Sequence, residues 1–273
     1  MLLIKIKFLM ILLLLCVFLN TAVRSESSDK IIQLSEELTI EKIREDVYIV
    51  NHKFPWSANS MIVRCSDSIF VWVDTPYTDD ATEQVLNWVA SQFGEIRIVE
   101  INTGFHNDNL GGNGCLKQRG LDIYGSDLTV RLLKERSEKT REQILKSLED
   151  PKLKKYYDAH ATATYTEPTR LFEIARGLNL KFDGEEIVVY YPGPSHSMDN
   201  VVVYFPEKKL LFGGCMVKSI NSSHLGFTGD ADMMQWPISL KKVLAKYGEA
   251  RIVVPGHGTF GGIELIKHTL ELF

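Results

Sequence analysis

Four apolar, strand-like runs in this chain each lead into a side chain able to bind a metal, and no other feature restricts the fold as strongly. The run Ile96–Ile101 opens into Asn102-Thr103-Gly104-Phe105-His106-Asn107-Asp108. YYPGPSHSMDN carries His196, LLFGGCMVKS carries Cys215, and RIVVPGHG carries His257. A histidine or cysteine alone in such a context is commonly a turn residue or a small buried hydrophobe. At the ends of separate strands the set is best explained by convergence on one metal. His106 and Asp108 stand two residues apart in a loop, a spacing that lets both point at one spot.

The first 25 residues are read as a leader outside the fold. Lys5 and Lys7 form a basic start, and Phe8–Leu19 is an apolar run too short to span a bilayer comfortably. Val23-Arg24-Ser25 offers a cleavage site, so a secretory signal peptide is expected, with a membrane anchor as the alternative. Cys16 does not make a lipidation site, because the preceding Leu15 is too large. The remainder, 26–273, is expected to be a single soluble domain exported across an inner membrane, most simply to a periplasm. Loss of Lys5, Lys7 and Arg24, with no acidic residue, takes the net charge from −4 to −7. That sign disfavours a nucleic-acid partner. Cys65, Cys115 and Cys215 remain, an odd number, so at least one thiol is unpaired in an exported protein.

Strand and helix patterns alternate along this domain. Val47–Val50, Asn59–Val63 and Ile69–Asp74 read as strands of a meander. Thr78 or Asp79 caps a helix reaching about Phe93, with Val85, Trp88 and Val89 on one face. Strand Ile96–Ile101, a helix from about Leu110 and strand Leu121–Tyr124 follow. Residues 126–172 are a helical insertion, capped by Ser126 and broken near Pro151. It is either a solvated amphipathic hairpin or a lid over the site. Strands resume at Glu186–Tyr191, Val201–Phe205, Lys209–Phe212 and Arg251–Val254, and Ile263–Leu272 closes as a helix. Elements recurring in this order suggest two packed sheets with helices outside.

Asp, Cys and His side chains together suit zinc, since thiolate and imidazole match a borderline metal and three protein ligands leave a fourth position open. At these residues the chain resembles the class B metallo-β-lactamases whose second zinc site is Asp-Cys-His. The resemblance runs from about Ile31 to Phe273 and includes WVDTPYT (72–78), LGGNG (110–114), YPGPSHSMDNVVVYFP (191–206), GGCMVK (213–218) and LGFTGDAD (225–232). It implies an α/β fold, a four-layered αββα sandwich, with the site at an edge between the sheets. It implies zinc as cofactor and a β-lactam as substrate. It assigns Asp108, Cys215 and His257 to one zinc, and His106 and His196 to a three-histidine zinc. Lys218 matches a lysine that pairs with the substrate carboxylate, the alternative being an ordinary surface lysine. Trp56, in the loop around Phe54-Pro55-Trp56, either covers the apolar side of the substrate or belongs to the core.

Two departures from the pattern bear on mechanism. Gly104 stands where the di-zinc subclass has its first motif histidine, which leaves His106 and His196 as two neutral ligands. A single-zinc subclass has Asn there and keeps the Asp-Cys-His metal. Phe227 stands where an Asn commonly helps polarise the lactam carbonyl. The expectation is one tightly bound zinc at Asp108/Cys215/His257, a second weak or absent, and His106, His196 or Asp108 serving the attacking water as catalytic groups. His160 and His224 are surface imidazoles in this reading, or else replacements for the missing ligand. Two alternative functions stand beside β-lactam hydrolysis. One is a hydrolase of the same fold acting on another ester, thioester or lactone; the other is a metal-binding protein that has lost catalysis.

Overall fold

In the computed structural model, residues 31–273 are described; the leader lies outside them. The described residues begin with β1 (Ile31–Gln33), β2 (Leu38–Arg44), β3 (Val47–Lys53), β4 (Ser57–Arg64) and β5 (Ile69–Val73). Next come α1 (Asp79–Phe93), β6 (Arg97–Ile101), α2 (Asn107–Leu110), α3 (Asn113–Gln118) and β7 (Asp122–Ser126). α4 (Asp127–Ser147) and α5 (Lys154–Thr162) lead to β8 (Arg170–Phe172), β9 (Leu178–Phe182), β10 (Glu185–Tyr190) and β11 (Val202–Phe205). The chain ends with β12 (Leu210–Lys218), α6 (Trp236–Tyr247), β13 (Ile252–His257) and α7 (Glu264–Glu271).

β1 to β8 form one sheet in chain order, antiparallel as far as β5 and parallel from β5 to β8. The other sheet runs β13-β12-β11-β10-β9, with β12 and β13 parallel. Alternation along each strand explains the layers. In β5, Val71 and Val73 face the second sheet and join Met61, Ile101, Val203, Phe205 and Phe212 in the central core. Their neighbours Phe70 and Trp72 face the other way, onto Val85, Leu86 and Val89 of α1. On the second sheet, Leu211 and Val253 face out against Trp236, Leu240 and Val243 of α6 and Leu265 of α7. Strands covered on both faces have no polar side to show, so they appear in the sequence as unbroken apolar runs. The result is the expected αββα sandwich.

Thr78 caps α1 by accepting from the Ala81 amide, 3.2 Å away, and Ser126 caps α4 in the same manner from Thr129. Several elements differ from expectation. The helix placed near Leu110 is two short ones, the first starting at Asn107. The strand expected to stop at Phe212 continues to Lys218, so Cys215 lies inside it. Gly213-Gly214 reads as a break in sequence, but Gly214 takes φ +55 and the pairing with β13 shifts register there. The glycine makes a bulge that re-aims the strand without ending it. Residues 170–172, placed with the insertion, form the edge strand β8. β1, β2, β9 and α6 had no counterpart in the pattern reading. No helix among the described residues is long and apolar enough to cross a membrane.

Candidate metal centre and active site

Two of the site's side chains, His106 and Asp108, depend on the loop that follows β6. Asp74, at the end of β5 with φ +59, is fully buried and receives three donors from that loop. The Thr103 amide and hydroxyl each lie at 2.7 Å and the Asn109 amide nitrogen at 2.8 Å. Burial drives the Asp74 pKa upward, and the bonds from Thr103 and Asn109 oppose it. Asn102 ties the far end of the loop by donating to the Asn109 carbonyl at 2.9 Å. The fixed loop presents His106 and Asp108.

Asp108 Oδ2 lies 3.4 Å from Cys215 Sγ and 3.1 Å from His257 Nε2, and Cys215 Sγ lies 3.8 Å from His257 Nε2. Tetrahedral zinc with ordinary bond lengths to O, N and S puts its ligand atoms about 3.3–3.6 Å apart, so the trio matches a zinc site. Among the described residues no other group of three His, Cys, Asp or Glu side chains is arranged to hold an ion. The Nδ1–H of His257 donates to the Ser57 carbonyl at 2.8 Å, which leaves Nε2 as the lone-pair nitrogen facing Asp108 and Cys215. Asn59 holds the same corner, donating to the carbonyls of Pro255 and Gly258. Burial alone would raise Asp108, yet the hydrogen bond and charge of His257 hold it well below the usual carboxylate range. Burial and the Asp108 charge push the Cys215 thiol far up, so a cation is what makes it a thiolate.

The three-histidine position is short of a ligand, as expected from Gly104. Gly104 supplies no ligand, and a Cβ built on it would lie 2.8 Å from Asn200 Nδ2 and 3.0 Å from Asn109 Oδ1. His106 and His196 do come together, their rings 5.1 Å apart and nearly perpendicular. His106 Nε2 lies 3.1 Å from Asp230 Oδ2. Asp230 also takes the Thr140 hydroxyl at 2.7 Å and the Arg136 guanidinium, both from α4. Against burial, the bonds from His106 and Thr140 hold Asp230 down at about 2, so it is an anion beside His106. The Nε2–H of His106 therefore faces this carboxylate as a donor. Burial, reinforced by the Lys218 charge, drives His196 well down and keeps it neutral. Two imidazoles alone do not make a closed metal site.

Phe227 lays its ring 5.8 Å from that of His106 and 6.4 Å from that of His196, an apolar side chain beside the pair. Lys218 is not a surface lysine: it is 6% exposed, donates to the Cys215 carbonyl at 2.9 Å and sits over the Trp236 ring. Trp56 is not in the core, with 43% of its surface exposed. His160 is not a surface imidazole, and it stands outside the group of Asp108, Cys215 and His257. It is 2% exposed, and its Nδ1 pairs with Asn107 Nδ2 at 3.0 Å. His224 is exposed, as expected, and accepts from the Gly226 amide. Asp74, Asn59 and Asp230 were not singled out as site residues. The only sequence signal for Asp74 and Asp230 was their place in WVDTPYT and LGFTGDAD.

Two face-to-face sheets with outer helices, and an Asp-Cys-His trio able to hold a metal, define an αββα sandwich with a candidate metal centre. Residues 98–257 match the model of the metallo-beta-lactamase superfamily. The chain is 33% identical over 251 residues to a metallo-beta-lactamase type 2 of Bacteroides fragilis, covering 90% of this chain and 89% of that one. It is 32% identical over 241 residues to a protein of the same description from Pseudomonas aeruginosa, covering 86% and 84%. A solved metallo-beta-lactamase from Pontibacter korlensis superposes with a TM-score of 0.72 at 30% identity, over 86% of this chain and 98% of that one. The chain belongs to the metallo-beta-lactamase superfamily.

Proposed function

We propose that this protein hydrolyses the amide bond of β-lactams with one tightly held zinc ion, bound by Asp108, Cys215 and His257. The spacing of that trio, beside a histidine pair that lacks a third ligand, is the observation that carries the reading. Bound zinc supplies a Lewis acid that stabilises negative charge on the departing lactam nitrogen. Asp108 and Cys215 are anions that offset the ion's double charge, so removing a proton from water falls to a side chain. His106 does this through Nδ1, and the Asp230 carboxylate at its Nε2 stabilises the imidazolium that forms. His196, neutral and buried, orients the same water. The Lys218 ammonium pairs with the substrate carboxylate, and the Trp56 indole covers its apolar side. Phe227 keeps bulk water off the histidine pair and shapes the substrate range. The mature chain, 26–273, acts as one exported domain; an N-terminus at Glu26 on the exported protein supports this, and a retained leader overturns it.

Metal analysis after dialysis at low zinc is expected to give one ion per chain. Turnover of a penicillin, a cephalosporin and a carbapenem is then measured with and without chelator. Two tightly held ions would defeat the one-zinc reading. No turnover at any zinc concentration would favour a binding protein, and turnover of esters or lactones alone a different hydrolase. Lys218→Ala is expected to raise KM for carboxylate-bearing substrates more than it lowers kcat.

Gly104→His, designed to restore the missing ligand, is expected not to add a second tight zinc by itself. Its Cβ meets the Asn200 side chain at 2.8 Å. Asn200 is held in turn by the Ser197 amide and the Ser195 hydroxyl. Overpacking of this kind costs about 1–3 kcal/mol, and each kcal/mol lowers Tm by about 2–4 °C in a domain of this size. A thermal scan and zinc titration of Gly104→His, alone and with Asn200→Ala, check this. A second tight ion in the single variant would show the crowding to be harmless.

A further inference from the structure

We infer that α5, the second helix of the insertion, is a clasp that holds the loop between β3 and β4 over the site. Tyr156 and His160 are its positioning residues for Trp56. The loop contains Phe54, Pro55 and Trp56 and has two fixed ends. At the C-terminal end the Ser57 carbonyl accepts from the zinc ligand His257. At the N-terminal end the Phe54 ring is enclosed by four others. His52 stacks on it at 5.2 Å and Tyr77 lies at 6.0 Å, both from the sheet side. Tyr156 meets it edge-on at 5.1 Å and His160 at 5.7 Å, both from α5.

The clasp is itself tied down in two places. The Tyr156 hydroxyl donates to Glu37 Oε1, and Lys155 Nζ pairs with the same oxygen at 2.6 Å. The Lys155 pair is solvent-exposed and adds little; the buried His160 does more. Its Nδ1 accepts from Asn107, the residue between His106 and Asp108. One helix thus touches both the loop that carries Trp56 and the loop that carries the metal ligand. The contacts close a ring around the site, from His257 through Ser57, Phe54, His160 and Asn107 to Asp108.

Without α5, two of the four rings around Phe54 are gone, and nothing else among its aromatic contacts holds that side of the loop. Trp56 would then sample positions off the substrate. A half-exposed indole contributes to binding only when its loop is already in place, since ordering it on contact costs affinity. α5 is therefore a fixed brace for substrate binding, whereas α4 of the same insertion holds Asp230 beside His106.

The test uses the zinc-loaded, full mature chain carrying Tyr156→Ala/His160→Ala, with Tyr156→Leu as a milder variant that keeps bulk and loses the edge-on ring. Of the four tryptophans, Trp72, Trp88 and Trp236 are buried, so acrylamide quenching reports chiefly on Trp56. The quenching constant is expected to rise about twofold, and KM about three- to tenfold with kcat nearly unchanged, as for lost uniform binding. Unchanged quenching in a folded variant overturns the clasp, as does a KM change that tracks loss of zinc. A fall in kcat without a rise in KM also overturns it. The kinetic expectation rests on the proposed contact between Trp56 and substrate, which Trp56→Ala tests alone. If that variant leaves KM unchanged, the contact is wrong, and quenching still decides whether α5 holds the loop.

Discussion

Cys215→Ala is expected to leave a folded protein that holds no zinc tightly and hydrolyses β-lactams at least about a thousandfold more slowly, a loss of roughly 4 kcal/mol in transition-state stabilisation. The thiol is almost fully buried between Asp108 and His257. Removing it leaves two ligands, too few for a zinc site. Stability without metal should change far less. Burial keeps the metal-free thiol neutral, so truncation exposes no stranded charge and removes one small group. Metal binding and folding are linked, because an ion that binds only the folded chain stabilises it, by about 4 kcal/mol at a thousandfold excess over Kd. Chelator should therefore lower the Tm of the natural protein by several degrees and leave that of the variant unmoved. Retention of one tight ion by Cys215→Ala would remove Cys215 from the site.

Asp74→Ala is expected to be the most damaging change away from the trio. It strands the Thr103 amide, the Thr103 hydroxyl and the Asn109 amide in a buried space, and each unpaired donor costs about 1–3 kcal/mol. The left-handed backbone at this position, φ +59, adds a further penalty for alanine that Asp and Asn largely escape. The donors alone amount to about 3–9 kcal/mol, which corresponds to a fall in Tm of at least about 6 °C. The loop so loosened carries His106 and Asp108, and loss of outer-shell support typically costs about 10- to 100-fold in metal affinity. Asp74→Asn keeps one acceptor and the permissive backbone and should fall between. Thermal scans and a zinc competition assay measure both effects. An Asp74→Ala protein as stable and as tight for zinc as its parent would show that the loop is held elsewhere.

The two sheets were legible because each strand meets a simple requirement. Met61, Val63, Val71 and Val73 had to be apolar to face the second sheet, and Ile62, Phe70 and Trp72 to face α1. Capping was legible for the same reason: Thr78 and Ser126 act on amides only three residues away. Elements with weaker local signals were not. Gly213-Gly214 marks a break in any local reading, and only pairing with β13 carries the strand through to Cys215 and Lys218. In α6, Pro237 follows the first residue, and the helix is held by packing of Trp236, Leu240 and Val243 on the second sheet.

The five ligand-type residues could be singled out in the sequence because chemistry restricts them to few residue types, although Cys215 lies inside β12 and not at its end. Their division of labour is a matter of distances between segments far apart in the chain. His106 meets Asp230 across 124 positions, and His160 meets Asn107 across 53. Neither pairing leaves a periodic trace. Gly104 shows the contrast most clearly. By itself the sequence determined that a ligand is missing there, since glycine has no side chain. Only the tertiary structure decided that Asn200 and Asn109 crowd the space in which a replacement would stand. Ligand identity is a property of single residues, whereas room and orientation belong to the packing of all the segments around them.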